Sequence, residues 1–122
     1  SLPISKIPIF LKKAENKIYS ILKDANILVF GHLADGNIHY NISSKTLLDK
    51  TKLDFFSKKI NNIVFDLVYK YGGSFSAEHG IGKMKIKELE KYSSCQELSL
   101  KKQIKNLFDP HGIMNPGKVF NL

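Results

Sequence analysis

One stretch limits the folds open to this 122-residue chain: Gly31-His32-Leu33-Ala34-Asp35-Gly36-Asn37-Ile38-His39-Tyr40-Asn41. Asp35-Gly36 between two alternating runs predicts a two-residue hairpin turn, because glycine adopts positive φ without penalty and aspartate tolerates it. With the chain folded there, Ala34 is expected opposite Asn37, Leu33 opposite Ile38 and His32 opposite His39. Along one straight strand the two histidines would lie roughly 23 Å apart on opposite faces. Across the hairpin their Cβ atoms come within about 5 Å on one face, near enough for two imidazoles to share a metal ion. Leu28, Phe30, His32, Asn37, His39 and Asn41 fall on that face. Ile27, Val29, Leu33, Ile38, Tyr40 and Ile42 fall on the other, an apolar layer that needs a cover.

The flanking segments supply the cover. Ile7, Phe10, Leu11, Ala14, Ile18, Ile21 and Leu22 recur at helical spacing, predicting a helix over 6–23 with Ser5 as its N-cap and Pro8 in its first turn. Strands are expected near 27–33 and 37–43, then a polar connection over 44–51. Leu53, Phe56, Ile60, Ile63, Val64, Leu67, Val68 and Tyr71 predict a second amphipathic helix over 52–71, ended by Gly72-Gly73. Ser74 to Ala77 alternate as a short third strand, and residues 78–83 read as a loop. Helices over 83–92 and 95–108, a turn at 109–112 and an extended tail over 113–120 complete the chain. The expected fold is α+β. An antiparallel sheet is covered on one face by two amphipathic helices, as a ferredoxin-like split β-α-β truncated of its first strand, with a helical C-terminal extension. Ser1-Leu2-Pro3 would be the remnant of that strand. Residues 1–122 then form a single domain, the rear part of a longer protein, with an unpaired edge through which a homodimer could form.

Charge narrows the partners. The formal net charge is +8, yet all nineteen basic residues are lysine and none is arginine. Arginine's planar fork is the usual reader of phosphate and guanine, and these lysines are scattered over helix faces. A nucleic-acid partner is therefore disfavoured, whereas attraction to anionic substrates or acidic lipid surfaces is compatible. The single cysteine, Cys95, precludes an internal disulfide and fits a reducing compartment. No apolar run reaches the roughly 20 residues that cross a bilayer, and the first residues lack the form of a signal peptide. The expected location is the cytoplasm, with peripheral attachment at the inner membrane face as the alternative.

Candidate chemistry gathers at one end of the expected sheet. His32 and His39 offer two neutral imidazole ligands, and zinc-like ions commonly take a third protein ligand. Glu78, at the end of the expected third strand, is the first candidate; Asp35 is the second. His79, pointing away from Glu78, would be a free imidazole suited to general-base work, since its ordinary pKa lies near neutrality. Each feature also has a plain reading: cross-strand histidines as exposed polar residues, and Glu78-His79 as solvated loop residues. His111, after Pro110, reads as structural.

Three motifs carry a family resemblance. Residues 31–41 resemble the Gly-His-x-Gly-Asp-Gly-Asn-x-His motif of FAD-linked oxidases, the C-terminal domains of vanillyl-alcohol-oxidase-type flavoproteins. Gly72-Gly73-Ser74-Phe75-Ser76-Ala77-Glu78-His79-Gly80-Ile81-Gly82 resembles their Gly-Gly…Ser-Gly-Glu-His-Gly-Ile-Gly. Phe108-Asp109-Pro110-His111-Gly112-Ile113-Met114-Asn115-Pro116-Gly117-Lys118 resembles their Phe-Asp-Pro-x-Gly-x-Met-Asn-Pro-Gly-Lys. All three stand in family order, and the nearest subgroup holds D-lactate dehydrogenase, the flavoprotein subunit of glycolate oxidase and D-2-hydroxyglutarate dehydrogenase. The resemblance implies that His32, His39 and Glu78 bind a divalent metal, zinc first. It implies that His79 takes the hydroxyl proton of a 2-hydroxy acid while a hydride passes to flavin N5, and that Asn41 contacts substrate. Asn115 and Lys118 would lie near the flavin. Ala34 and Ala77 depart from the family's glycines. FAD itself would be held mainly by an N-terminal domain outside this sequence, supplied in cis or in trans. Alone, the chain is expected to be inactive. The alternative reading is a non-catalytic remnant or split-gene fragment.

Overall fold

The protein is described here from a computed structural model, which describes residues 1–120. Two compact units form, Ser1–Ala77 and Glu78–Leu122. The fold is α+β, with a small antiparallel sheet flanked by helices and a helical C-terminal part. Among the described residues no helix is long and apolar enough to cross a membrane.

The first unit begins with a 3-10 turn over Ile4–Lys6, followed by helix α1 over Ile7–Ile21. Ser5 lies inside that turn and does not cap the helix; Lys6 takes the N-cap position without a side-chain bond. The expected cap fails for a simple reason. A cap at Ser5 would accept from Ile7 or Pro8, and proline has no N–H to give. Ile7, Phe10, Ala14 and Ile18 form the buried stripe of α1. Strands β1, Asn26–His32, and β2, Asn37–Ser43, pair antiparallel. Asp49 then caps helix α2, Lys50–Lys70, accepting from the N–H groups of Thr51 at 2.9 Å and Lys52 at 3.1 Å. That cap starts the helix two residues before the predicted position.

The hairpin register differs from the expected one. His32 faces Asn37, Gly31 faces Ile38 and Phe30 faces His39. The tip is a 3-10 turn over Leu33–Asp35 closed by Gly36 in the left-handed region, φ 65°, whose N–H donates to the Leu33 carbonyl at 3.0 Å. A two-residue type I′ turn needs positive φ at both central residues; this turn needs it only at glycine. Leu33 is accordingly drawn out of the apolar layer and is 63% exposed. The other members keep their side. Ile27, Ile38, Tyr40 and Ile42 pack on the core formed by α1 with Ile60, Leu67 and Val68 of α2. Both ends of the hairpin are pinned. At the tip, Leu2 N–H donates to the Gly36 carbonyl at 2.8 Å. At the open end, Asp24 Oδ2 accepts from Ser44 Oγ at 2.7 Å and from Thr46 N–H at 3.1 Å.

The expected third strand is absent: Ser74–Ala77 bend, and among the described residues the sheet has two strands. Ser74 N–H donates once, to the Ser1 carbonyl at 2.9 Å. The Ser1 amino group donates back to the Ser74 carbonyl at 2.6 Å, and this reciprocal pair extends into no ladder among the described residues.

In the second unit, residues 82–85 turn before helix α3, Ile86–Tyr92, so that helix starts later than predicted. Ser94 caps α4, Cys95–Phe108, accepting from Glu97 N–H at 3.1 Å. Residues 113–120 are a run of bends and turns, not an extended tail; Asn115 has φ 51° and Val119 φ 67°. Val119 N–H returns to the Gly82 carbonyl at 2.8 Å.

Two glycines separate conformational from steric cost. Gly72 has φ 71° with open space around it, whereas a Cβ on Gly36 would lie 2.0 Å from the Leu2 carbonyl oxygen. Gly72→Ala is expected to cost about 1–2 kcal/mol, the left-handed penalty alone. Gly36→Ala must also displace Leu2 and is expected to cost on the order of 3 kcal/mol. Urea unfolding of both variants measures the difference, and equal losses would mean that Leu2 is not seated on the turn.

Candidate functional site

The two-residue change in register leaves the imidazoles on one face, because side chains alternate with period two. His32 and His39 are diagonal neighbours, not a directly opposed pair, with ring centroids 6.3 Å apart and planes at 85°. Phe30 takes the place directly across from His39 and stacks on it, centroids 5.1 Å apart and planes at 16°. Asn41 is on the same face opposite Leu28, and both are exposed. Asp35, the second-choice ligand, belongs to the turn that sets this register. Ala34 and Ala77, where the motifs have glycine, both keep negative φ and carry no left-handed strain.

Two imidazoles on one ion place their centroids roughly 5–6 Å apart, a little closer than these two stand. The pair provides half of a tetrahedral shell. Among the described residues, no three of the His, Cys, Asp and Glu side chains are clustered closely enough to hold a metal.

Glu78 and His79 open the second unit. No strand end places Glu78, since residues 74–80 bend. Its carboxylate Oε2 lies 3.9 Å from His79 Nε2, so the two side chains approach each other more closely than their adjacency in a loop suggested. The His79 side chain is 85% exposed. It borders a largely apolar cavity of about 610 Å³ that is also lined by Ile81, Phe108, Asn115, Lys118 and Phe120. Three of the sequence-predicted residues, His79, Asn115 and Lys118, therefore share one cavity.

A buried carboxylate organises that cavity. Asp109 is 4% exposed. Its Oδ2 accepts from Lys105 Nζ at 2.5 Å and from Met114 N–H at 2.9 Å, and its Oδ1 accepts from Ile113 N–H at 2.9 Å. Lys105 Nζ also donates to the Met114 carbonyl at 2.6 Å. These bonds curl the segment that was expected to be extended. Just beyond it, Asn115 stands in the left-handed region, and its carbonyl accepts from Lys118 N–H at 3.3 Å. Asp109 and Lys105 were not assigned a role from sequence. The available signal was their i,i+4 spacing at a helix end, followed by Asp-Pro. His111 lines a smaller cavity of about 360 Å³ beside the same loop.

The Lys105 hydrogen bond, helped by the Met114 and Ile113 amides and opposed by burial, holds the Asp109 carboxyl below the usual carboxylate range. A pKa lowered in the folded state contributes stability above the unfolded value, and that stability is lost as pH falls through the folded value. Asp109→Asn is therefore expected to be less stable than the parent near neutrality, with the gap narrowing on acidification. Unfolding curves between about pH 6 and pH 2 read it. A pH-independent gap would show that the ionised carboxylate is not the lock.

Comparison with known proteins follows the same motifs. The model of the family described as FAD linked oxidases, C-terminal domain, matches residues 1–119. A D-2-hydroxyglutarate dehydrogenase of Stutzerimonas stutzeri is 44% identical over 122 residues, covering 98% of this chain and 26% of its own length. The mitochondrial D-2-hydroxyglutarate dehydrogenase of Arabidopsis thaliana is 40% identical over 111 residues, or 84% of this chain and 19% of its own length. A D-2-hydroxyglutarate–pyruvate transhydrogenase of Saccharomyces cerevisiae is 42% identical over 93 residues, covering 73% of this chain and 17% of its own length. The chain spans about a quarter or less of each of these relatives. With a family match over nearly its whole length, and with the hairpin and Glu-His motifs in place, the chain belongs to the C-terminal domain family of FAD-linked oxidases.

Proposed function

We propose that this chain is the substrate- and metal-binding portion of an FAD-dependent D-2-hydroxy-acid dehydrogenase. The observation that carries the reading is the placement of His32 and His39 as diagonal neighbours on one sheet face, their ring centroids 6.3 Å apart. The names of the relatives favour D-2-hydroxyglutarate as substrate, with D-lactate and glycolate as the other candidates. The nineteen lysines suit an acid substrate with a dianionic charge.

In this reading His32, His39 and Glu78 hold a divalent metal, zinc before manganese. Asn41, on the imidazole face, binds substrate. His79 accepts the proton of the substrate hydroxyl as the C2 carbonyl forms, and the C2 hydrogen leaves with its electron pair. When bound, the metal polarises the substrate's hydroxyl and carboxylate oxygens, and FAD supplies the hydride acceptor. Asn115 and Lys118 face the flavin, most of whose binding comes from a domain outside this chain, in cis or in trans. Exposed Cys95 fits a reducing, cytoplasmic setting.

The test has two parts. Calorimetry should find one zinc site in the chain, lost in a His32→Ala, His39→Ala double variant. With the FAD-binding domain present, dye reduction by D-2-hydroxyglutarate should have its kcat lowered about 10²- to 10⁴-fold by His79→Gln. Turnover that is absent even with that domain supplied would favour the non-catalytic reading instead. Turnover that is insensitive to His79 would remove the assigned base.

A further inference from the structure

We propose that the gap beside β2 is the seat of one added strand, supplied by polypeptide that leads into Ser1 in a longer protein. The inference is independent of the metal and catalytic reading. Backbone groups of successive strand residues point to opposite sides, so a strand inside a sheet bonds its two neighbours by turns. Ser1 and Leu2 already follow that rule. Ser1 exchanges both of its backbone bonds with Ser74, at 2.6 and 2.9 Å, and Leu2 donates to the Gly36 carbonyl at 2.8 Å. A reciprocal pair marks antiparallel neighbours, so a chain leading into Ser1 runs opposite to Ser74–Ala77. Beside it lies a groove of about 200 Å³, lined by Ile38, Tyr40 and Ile42 of β2 and by Ser74 and Phe75, with Ser1 and Leu2 also in its wall. The groove follows β2 from Ile38 to Ile42, away from the Gly36 contact, so the added strand runs antiparallel to β2 as well. Among the described residues β2 has a strand on one side only. Leu2 is buried in the core. Every second residue counted back from it faces the same way, so the occupant is apolar at those positions and polar between them. Relatives have chain to supply it, since this one spans 26% of the Stutzerimonas stutzeri protein.

The probe is a defined leader fused to Ser1. Val-Thr-Val-Thr-Val, whose last valine is in phase with Leu2, is compared with Thr-Val-Thr-Val-Thr, which has the opposite phase. The in-phase leader should slow hydrogen exchange on the order of 10-fold at residues 74–77 and at the β2 amides that point away from β1, about the worth of one net hydrogen bond. It should also raise the urea midpoint of unfolding. The out-of-phase leader should do neither, because it turns threonine into the groove and valine to water. Amides bonded between β1 and β2 report whether the hairpin is intact. Equal behaviour of the two leaders overturns the proposal, whether or not the chain folds without a leader. Protection of β2 that appears without a leader and rises with protein concentration also overturns it, since a second copy then holds the groove. Neither readout involves zinc or turnover, so failure here leaves the catalytic reading standing.

Discussion

The register of one hairpin governs the first unit. It is fixed from both ends, by the Leu2 amide on the Gly36 carbonyl and by the Asp24 carboxylate on Ser44 and Thr46. Between these clamps the alternation of side chains does the sorting. Ile27, Ile38 and Ile42 face the helices, and the imidazoles face away. A slip of one residue would reverse every side chain and turn that apolar set into water. At about 1.5–3 kcal/mol for each fully buried side chain, even partial loss approaches the 5–15 kcal/mol that stabilises a small domain. A slip of two costs nothing on this count, which leaves turn geometry free to choose among registers of the same parity.

That parity explains what could be read from sequence and what could not. The face of each hairpin residue was legible, Leu33 excepted, because hydrophobic alternation reports the side and nothing more. The partner of His39 was not, because Asp35-Gly36 is compatible with more than one turn, and the 3-10 turn formed here needs positive φ at Gly36 alone. Helix extents at α1, α2 and α4 followed from apolar spacing. Ser5 has the residue type of a cap, but a cap also needs an N–H to accept from, and Pro8 lacks one. Ser74–Ala77 alternates like a strand yet joins no ladder among the described residues. The loop after α4 reads as extended in sequence because nothing local reveals that Asp109 is buried and gathers two amides and a lysine.

The two units build their candidate residues by different means. In the first, a sheet face displays His32, His39 and Asn41, and an exposed phenyl ring stacks on His39. In the second, a buried ion pair shapes a loop, and the loop presents Asn115 and Lys118 to the cavity that His79 borders. Pattern reading succeeds for the first kind, since periodicity carries it. It recovers the second only through motif, since a hydrogen-bonded loop has no period.

The Asp109 lock has a chemical consequence of its own. Asp109 precedes Pro110, and aspartyl–prolyl links are the peptide bonds most easily cut by acid, through attack of the aspartyl side chain on its own carbonyl carbon. Here both carboxylate oxygens are turned to Lys105, Ile113 and Met114. Held that way, the side chain is withheld from its neighbouring carbonyl. The contacts that shape the cavity therefore also shield the backbone's weakest covalent bond for as long as the loop stays folded.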